Sequence, residues 1–140
     1  MSERVSRLSQ SVDSLRKFCS DPITEERDIA GILMAFSYSY ELAWRCFQDA
    51  AVAEGWEPTG PRNAIRNAFR LGLILPDEAE MWKELQDDRN NVAHTYRKFW
   101  SEQLVPVIRE HYLPLFEKSL VRLQSRMIEG GTSDGSQSGY

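Results

Sequence analysis

The segment Arg89-Asn90-Asn91-Val92-Ala93-His94-Thr95-Tyr96 gathers the residue types in this chain best suited to chemistry. Arg89 is a permanent cation that can grip a phosphate through two parallel hydrogen bonds. His94 can move a proton near neutral pH. Tyr96 offers a phenol, and Asn90 an amide able to orient a neighbour. An Arg and a His without a metal suit the cleavage of RNA. The ribose 2′-OH attacks the adjacent phosphate, the His takes or gives the proton, and the Arg stabilises the charge that builds on phosphorus. DNA lacks the 2′-OH and would be spared. A plainer reading stands beside this one, in which Arg89 pairs with Asp87 or Asp88 and His94 caps a helix end.

Spacing constrains the chemical reading. On an unbroken helix five residues rotate by about 140°, so Arg89 and His94 would not share a face. They converge only if the helix bends or ends between them, or if two chains build one site. Asn90-Asn91 is a poor helix interior and a reasonable place for a bend.

The elements that must position this segment read as helices. Val5, Leu8, Val12, Leu15 and Cys19 step by three and four, and Ser20-Asp21-Pro22 stops that helix. Thr24 can cap a second helix over roughly residues 25 to 53. Its stripe is Ile29, Leu33, Phe36, Tyr40, Trp44, Phe47 and Ala51, whose aromatics read as core packing rather than ligand stacking. Pro61 and Gly72 bracket a short third helix. Arg62, Arg66 and Arg70 share one face of it, either a solvated basic face or a local positive surface for phosphates or an acidic partner. Pro76 opens a fourth helix, with Ala79, Trp82 and Leu85 on its buried side, that runs into the segment of interest.

The last helix spans roughly residues 101 to 128, with a stripe of Val105, Ile108, Tyr112, Phe116, Leu120, Leu123 and Met127. Pro106 falls near its start, and Pro114 should kink it. His111 is a surface residue of this helix and a secondary candidate for the site. The pattern predicts an all-α, antiparallel up-and-down bundle of about five helices. Residues 1–128 form one domain, and 129–140 a disordered Gly/Ser-rich tail. Three long aromatic-bearing stripes exceed what a thin bundle needs for itself, which makes a homodimer the expected state.

Bulk properties bound the function. The chain has 140 residues, enough for one domain with a real core. No apolar run approaches the length of a membrane span, and the N-terminus lacks a signal-peptide pattern, so a cytoplasmic protein is expected. Cys19 and Cys46 read as small buried hydrophobes. With two His and no ligand spacing, no metal or other cofactor is expected. The net charge of −4 argues against a long nucleic-acid grip by bulk charge, so any such contact must be local or built by two chains.

The spacing Arg-Asn-x-x-x-His-x-Tyr, here Arg89, Asn90, His94 and Tyr96, resembles the motif of the HEPN superfamily, most closely its HepT-like branch. The resemblance extends through Phe36-Ser37-Tyr38-Ser39-Tyr40-Glu41-Leu42-Ala43-Trp44, Pro61-Arg62, Ala68-Phe69, Leu73-Ile74, Trp82 and Ala93-His94-Thr95-Tyr96, covering roughly residues 3 to 127. It implies a helical dimer that brings two copies of the motif into one cleft. It implies a metal-independent endoribonuclease toxin, with Arg89 and His94 catalytic and Asn90 positioning them. It further implies a minimal nucleotidyltransferase, encoded nearby, as the antitoxin that adenylylates Tyr96. Members of this branch also act as the non-catalytic substrate-binding subunit of a nucleotidyltransferase, which is the alternative reading. A third, bland alternative is a helical dimer with a structural Arg/His pair.

Overall fold

The computed structural model describes residues 2–94 and 98–133, with side chains described for 2–92 and 100–127. Helix α1 spans Glu3–Ser20. The Ser2 hydroxyl accepts from the Val5 amide at 3.1 Å, which satisfies a donor that the first turn would otherwise leave open. Asp21 ends the helix in an extended conformation. Helix α2 spans Glu26–Ala53, and its cap is Glu25 rather than the expected Thr24. The Asp28 carboxylate decides this, because it accepts from the amides of both Thr24 (2.8 Å) and Glu25 (3.0 Å). Thr24 merely adds its hydroxyl as a further donor to Asp28.

Helix α3 is Pro61–Arg70, as its Pro and Gly punctuation predicts. Gly72, at φ 77°, lets the chain reverse so that the Leu73 amide reaches back to the Ala68 carbonyl at 2.8 Å. Leu73 and Ile74 are thereby driven into the core. Pro76–Glu78 forms a single 3₁₀ turn rather than the first turn of an α-helix, and helix α4 follows directly as Ala79–His94. Helix α4 runs without interruption through Asn90 and Asn91, the place where the sequence offered a bend as one of its alternatives.

Helix α5, Lys98–Val107, begins earlier than the expected residue 101, which leaves Pro106 inside it. A π-turn over Ile108–Tyr112 joins it to helix α6, Leu113–Ser133. The Leu113 amide bonds the Ile108 carbonyl, five residues back. This widened turn sits immediately before Pro114, whose ring and missing N–H would disturb a regular turn there. The disturbance expected at Pro114 therefore takes the form of a π-turn. Helix α6 reaches Ser133 and so takes in the first residues of the predicted tail; residues 134–140 lie outside the described residues.

Among the described residues there are helices and turns only, arranged as the expected helical bundle. Helix α2 is central and packs against α1, α3, α4, α5 and α6. A chain of rings crosses the core. Trp82 meets Phe47 edge-on at 5.5 Å and Phe116 edge-on at 5.7 Å. Phe116 tilts against Phe36, which stacks on Tyr112 at 5.6 Å. All five are essentially buried, and each such side chain contributes about 1.5–3 kcal/mol. This places the aromatic stripe in the core, as its periodicity implied. None of the described helices is long and apolar enough to cross a membrane.

Candidate functional site

Tyr40 and Glu41 on α2 fix the position of Arg89 on α4. The Arg89 Nη2 donates to Glu41 Oε1 at 2.8 Å, and its guanidinium carbon lies 5.3 Å from the centre of the Tyr40 ring. The pairing with Asp87 or Asp88 offered by the plainer reading is replaced by this contact between helices. Neighbours on one helix point about 100° apart per residue, so Asp87 and Asp88 project away from Arg89 while α2 approaches it directly. Arg89 keeps 22% of its side-chain surface, so the held cation still meets solvent. Its Nε is buried and has no hydrogen-bond partner among the described residues.

Glu41 is the hub of this cluster. Its Oε2 accepts from the Trp44 indole at 3.1 Å and lies 3.5 Å from Arg45 Nε, while Oε1 holds Arg89. Tyr40 is fixed from the other side, where Gln86 Nε2 donates to its hydroxyl at 2.9 Å. Burial holds the Tyr40 phenol above its ordinary value, against the opposing pull of Gln86 and Arg89. Asp88 faces the π-turn and accepts a short hydrogen bond from the Tyr112 hydroxyl. Burial, then this bond to Asp88, pushes the Tyr112 phenol well up.

Sequence reasoning missed Glu41. The signal was present, since Glu41 is the only charged residue between Ile29 and Trp44, on a helix otherwise apolar there. Asn90 is half-buried beside Arg89 on α4. His94 closes α4, and its side chain lies outside the described residues, as does Tyr96 altogether. Because α4 is continuous, backbone positions 89 and 94 lie about 140° apart around its axis.

Arg62, Arg66 and Arg70 are all exposed along α3. None of them meets a carboxylate among the described residues; Arg66 and Arg70 bond only Asn63 and Asn67, and Arg70 also covers the Trp56 ring at 4.4 Å. His111 is exposed on the π-turn.

A solved crystal structure of a protein from Thermus thermophilus matches with a TM-score of 0.73 at 25% identity, covering 83% of this chain and 98% of that one. A search of curated proteins finds no match. The family described as nucleotidyltransferase substrate binding protein like matches over residues 3–125, nearly the whole bundle and all of the Arg89–Tyr96 segment. The chain therefore belongs to the nucleotidyltransferase substrate-binding-protein-like family.

Proposed function

We propose that this protein is a HepT-like, metal-independent endoribonuclease toxin of the cytoplasm, neutralised by a minimal nucleotidyltransferase that adenylylates Tyr96. The observation that carries the reading is the Arg89 guanidinium, clamped by Glu41 over Tyr40 yet still open to solvent. A cation fixed in this way can meet a phosphate without first losing rotamer freedom.

In this reading two copies of the chain build one cleft. The continuity of α4 supports that, because it sets positions 89 and 94 on different faces of one helix. So does the outer face of α2. Met34 and Tyr38 are 74% and 54% exposed there, at helical spacing from Glu41 and Arg45. One His94 takes the proton from the ribose 2′-OH as its oxygen bonds to phosphorus. The P–O5′ bond breaks, and the partner's His94 gives a proton to the departing oxygen, leaving a 2′,3′-cyclic phosphate. Asn90 orients the pair, and Arg89 carries the phosphorane charge. An AMP on Tyr96, two residues from His94, would fill the cleft and repel the substrate phosphate.

The test is RNA cleavage in the presence of a chelator. His94→Ala and Arg89→Ala should each abolish cleavage with little change in melting temperature. Cleavage that survives His94→Ala would remove that residue from the mechanism.

A second reading is a non-catalytic subunit that presents substrate to the nucleotidyltransferase. The family description favours it, as does the carboxylate already bound to Arg89. Wild-type protein that binds RNA or nucleotide but never cuts it would select this reading.

A further inference from the structure

The described residues carry a positive track outside the Arg89 cluster. From Pro58 to Pro76 the chain holds Arg62, Arg66 and Arg70 and no acidic residue, so that stretch carries +3 in a chain of net −4. Spacing of four residues sets the three guanidinium stems on one face, spread over about 12 Å. Beside them lies a cleft of about 330 Å³ whose rim is these arginines and whose apolar wall includes Phe69, Ile74 and Trp82. That volume lies in the range of small-ligand sites and suits one nucleobase.

Two details give the cleft a recognisable chemistry. Phe69 is 41% exposed, an aromatic face offered to a flat ring. Trp82 is fully buried at the floor, and its Nε1 N–H has no acceptor among the described residues. The track also leads somewhere. Trp82 and Arg89 are seven residues apart on α4, hence on the same side and about 10 Å apart along it. The charge of Arg62 is felt at the Tyr40 phenol, whose ring lies under Arg89.

We propose that α3 and this cleft form a binding track for single-stranded RNA, with one base in the cleft and successive phosphates on Arg70, Arg66 and Arg62, feeding the strand toward Arg89. Arginines tracking a backbone beside an exposed aromatic ring are the combination that single-stranded nucleic acid uses. The direction of the track rests on Arg89 being the phosphate site of the proposed ribonuclease; binding along α3 does not.

The test is fluorescence anisotropy with a labelled ten-nucleotide single-stranded RNA, using full-length protein carrying His94→Ala so that no cutting intervenes. The triple variant Arg62→Gln, Arg66→Gln, Arg70→Gln should bind at least tenfold more weakly. It should also lose about two from the slope of log affinity against log salt, as expected for three phosphate contacts on a single strand. Phe69→Ser should weaken binding about fivefold or more while leaving the salt slope unchanged. Arg7→Gln, on α1, is the control for a lost surface charge and should change neither affinity nor slope by a comparable amount.

Unchanged affinity and slope in the triple variant would overturn the track, as would RNA binding too weak to measure in the parent protein. ATP competing as well as the RNA would reduce the site to a mononucleotide pocket and overturn the strand. If the track variants behave as expected but His94→Ala still cuts RNA, the catalytic assignment fails and the track stands.

Discussion

Glu41 on α2 and Arg89 on α4, 48 positions apart in sequence, meet in a 2.8 Å ion pair, and this pair rather than any neighbour on α4 sets the direction of the candidate phosphate-binding cation. The same carboxylate takes the Trp44 indole N–H, so Arg89 is aligned by a residue that is itself anchored.

Glu41→Gln keeps the shape of that anchor and removes its charge. The pair is partly solvated, at 22% and 33% exposure, so stability should fall by about 1 kcal/mol or less in urea titrations. RNA cleavage should fall about tenfold or more, because an unclamped Arg89 must be ordered at each turnover. Full activity in Glu41→Gln would show that the pair is structural only.

The ion pair with the most buried carboxylate among the described residues lies elsewhere. Arg122 on α6 grips Glu78 with two bonds of 2.6 and 2.9 Å, and Glu78 is 7% exposed. Those bonds hold the Glu78 carboxyl below its ordinary value of 4.5, against the opposing effect of burial. A depressed carboxylate stabilises the fold above about pH 4.5, and that contribution is lost as pH falls through its folded value. Arg122→Met should therefore cost about 2–3 kcal/mol near neutrality, by leaving a buried carboxylate alone. The gap between variant and wild type should shrink below pH 4.5. A gap that stays constant from pH 7 to pH 3 would contradict the linkage.

Tyr40 and Tyr112 are both held above the ordinary phenol value, chiefly by burial and for Tyr112 also by Asp88. The unfolded chain loses these protons first as pH passes 10, so stability declines from there upward. Absorbance of phenolate should rise in step with loss of helical circular dichroism for these two residues. Tyr112→Phe retains the stack on Phe36 but strands Asp88, and should cost about 1–3 kcal/mol. A phenolate signal for both residues that precedes unfolding would refute the linkage.

Co-expression with a neighbouring minimal nucleotidyltransferase should raise the intact mass by whole multiples of AMP. The gain should vanish in Tyr96→Phe, and the modified protein should cut RNA at least a hundredfold more slowly. Modification that persists in Tyr96→Phe would move the acceptor to another residue.

The bundle was legible because its stripes are long. Val5 to Cys19 and Ile29 to Ala51 give α1 and α2 nearly to their ends, and those side chains are buried as their spacing implies. Local chemistry was less legible where two acceptors compete, so Asp28 displaced Thr24 at the start of α2. Asn90-Asn91 misled because propensity is a weak term beside the packing of Leu85 and Val92 on the two sides of it. The partner of Arg89 could not be read locally, since it comes from another helix.

The π-turn had a trace in the sequence. Ile108, Tyr112, Phe116 and Leu120 step by four three times in succession, and each step overshoots a 3.6-residue turn. One wider turn absorbs that drift. It acts as a phase shifter in what is otherwise a single rod: α5 presents its apolar side to α2, α6 presents its own to α1, and Tyr112 at the junction reaches Asp88. Removing one residue from 108–112 would restore a regular helix and rotate one half against the other by about 100°. The length of that turn is thus a digital setting, right or wrong by a whole residue, through which the packing of the final helix is coupled to the helix that carries Arg89.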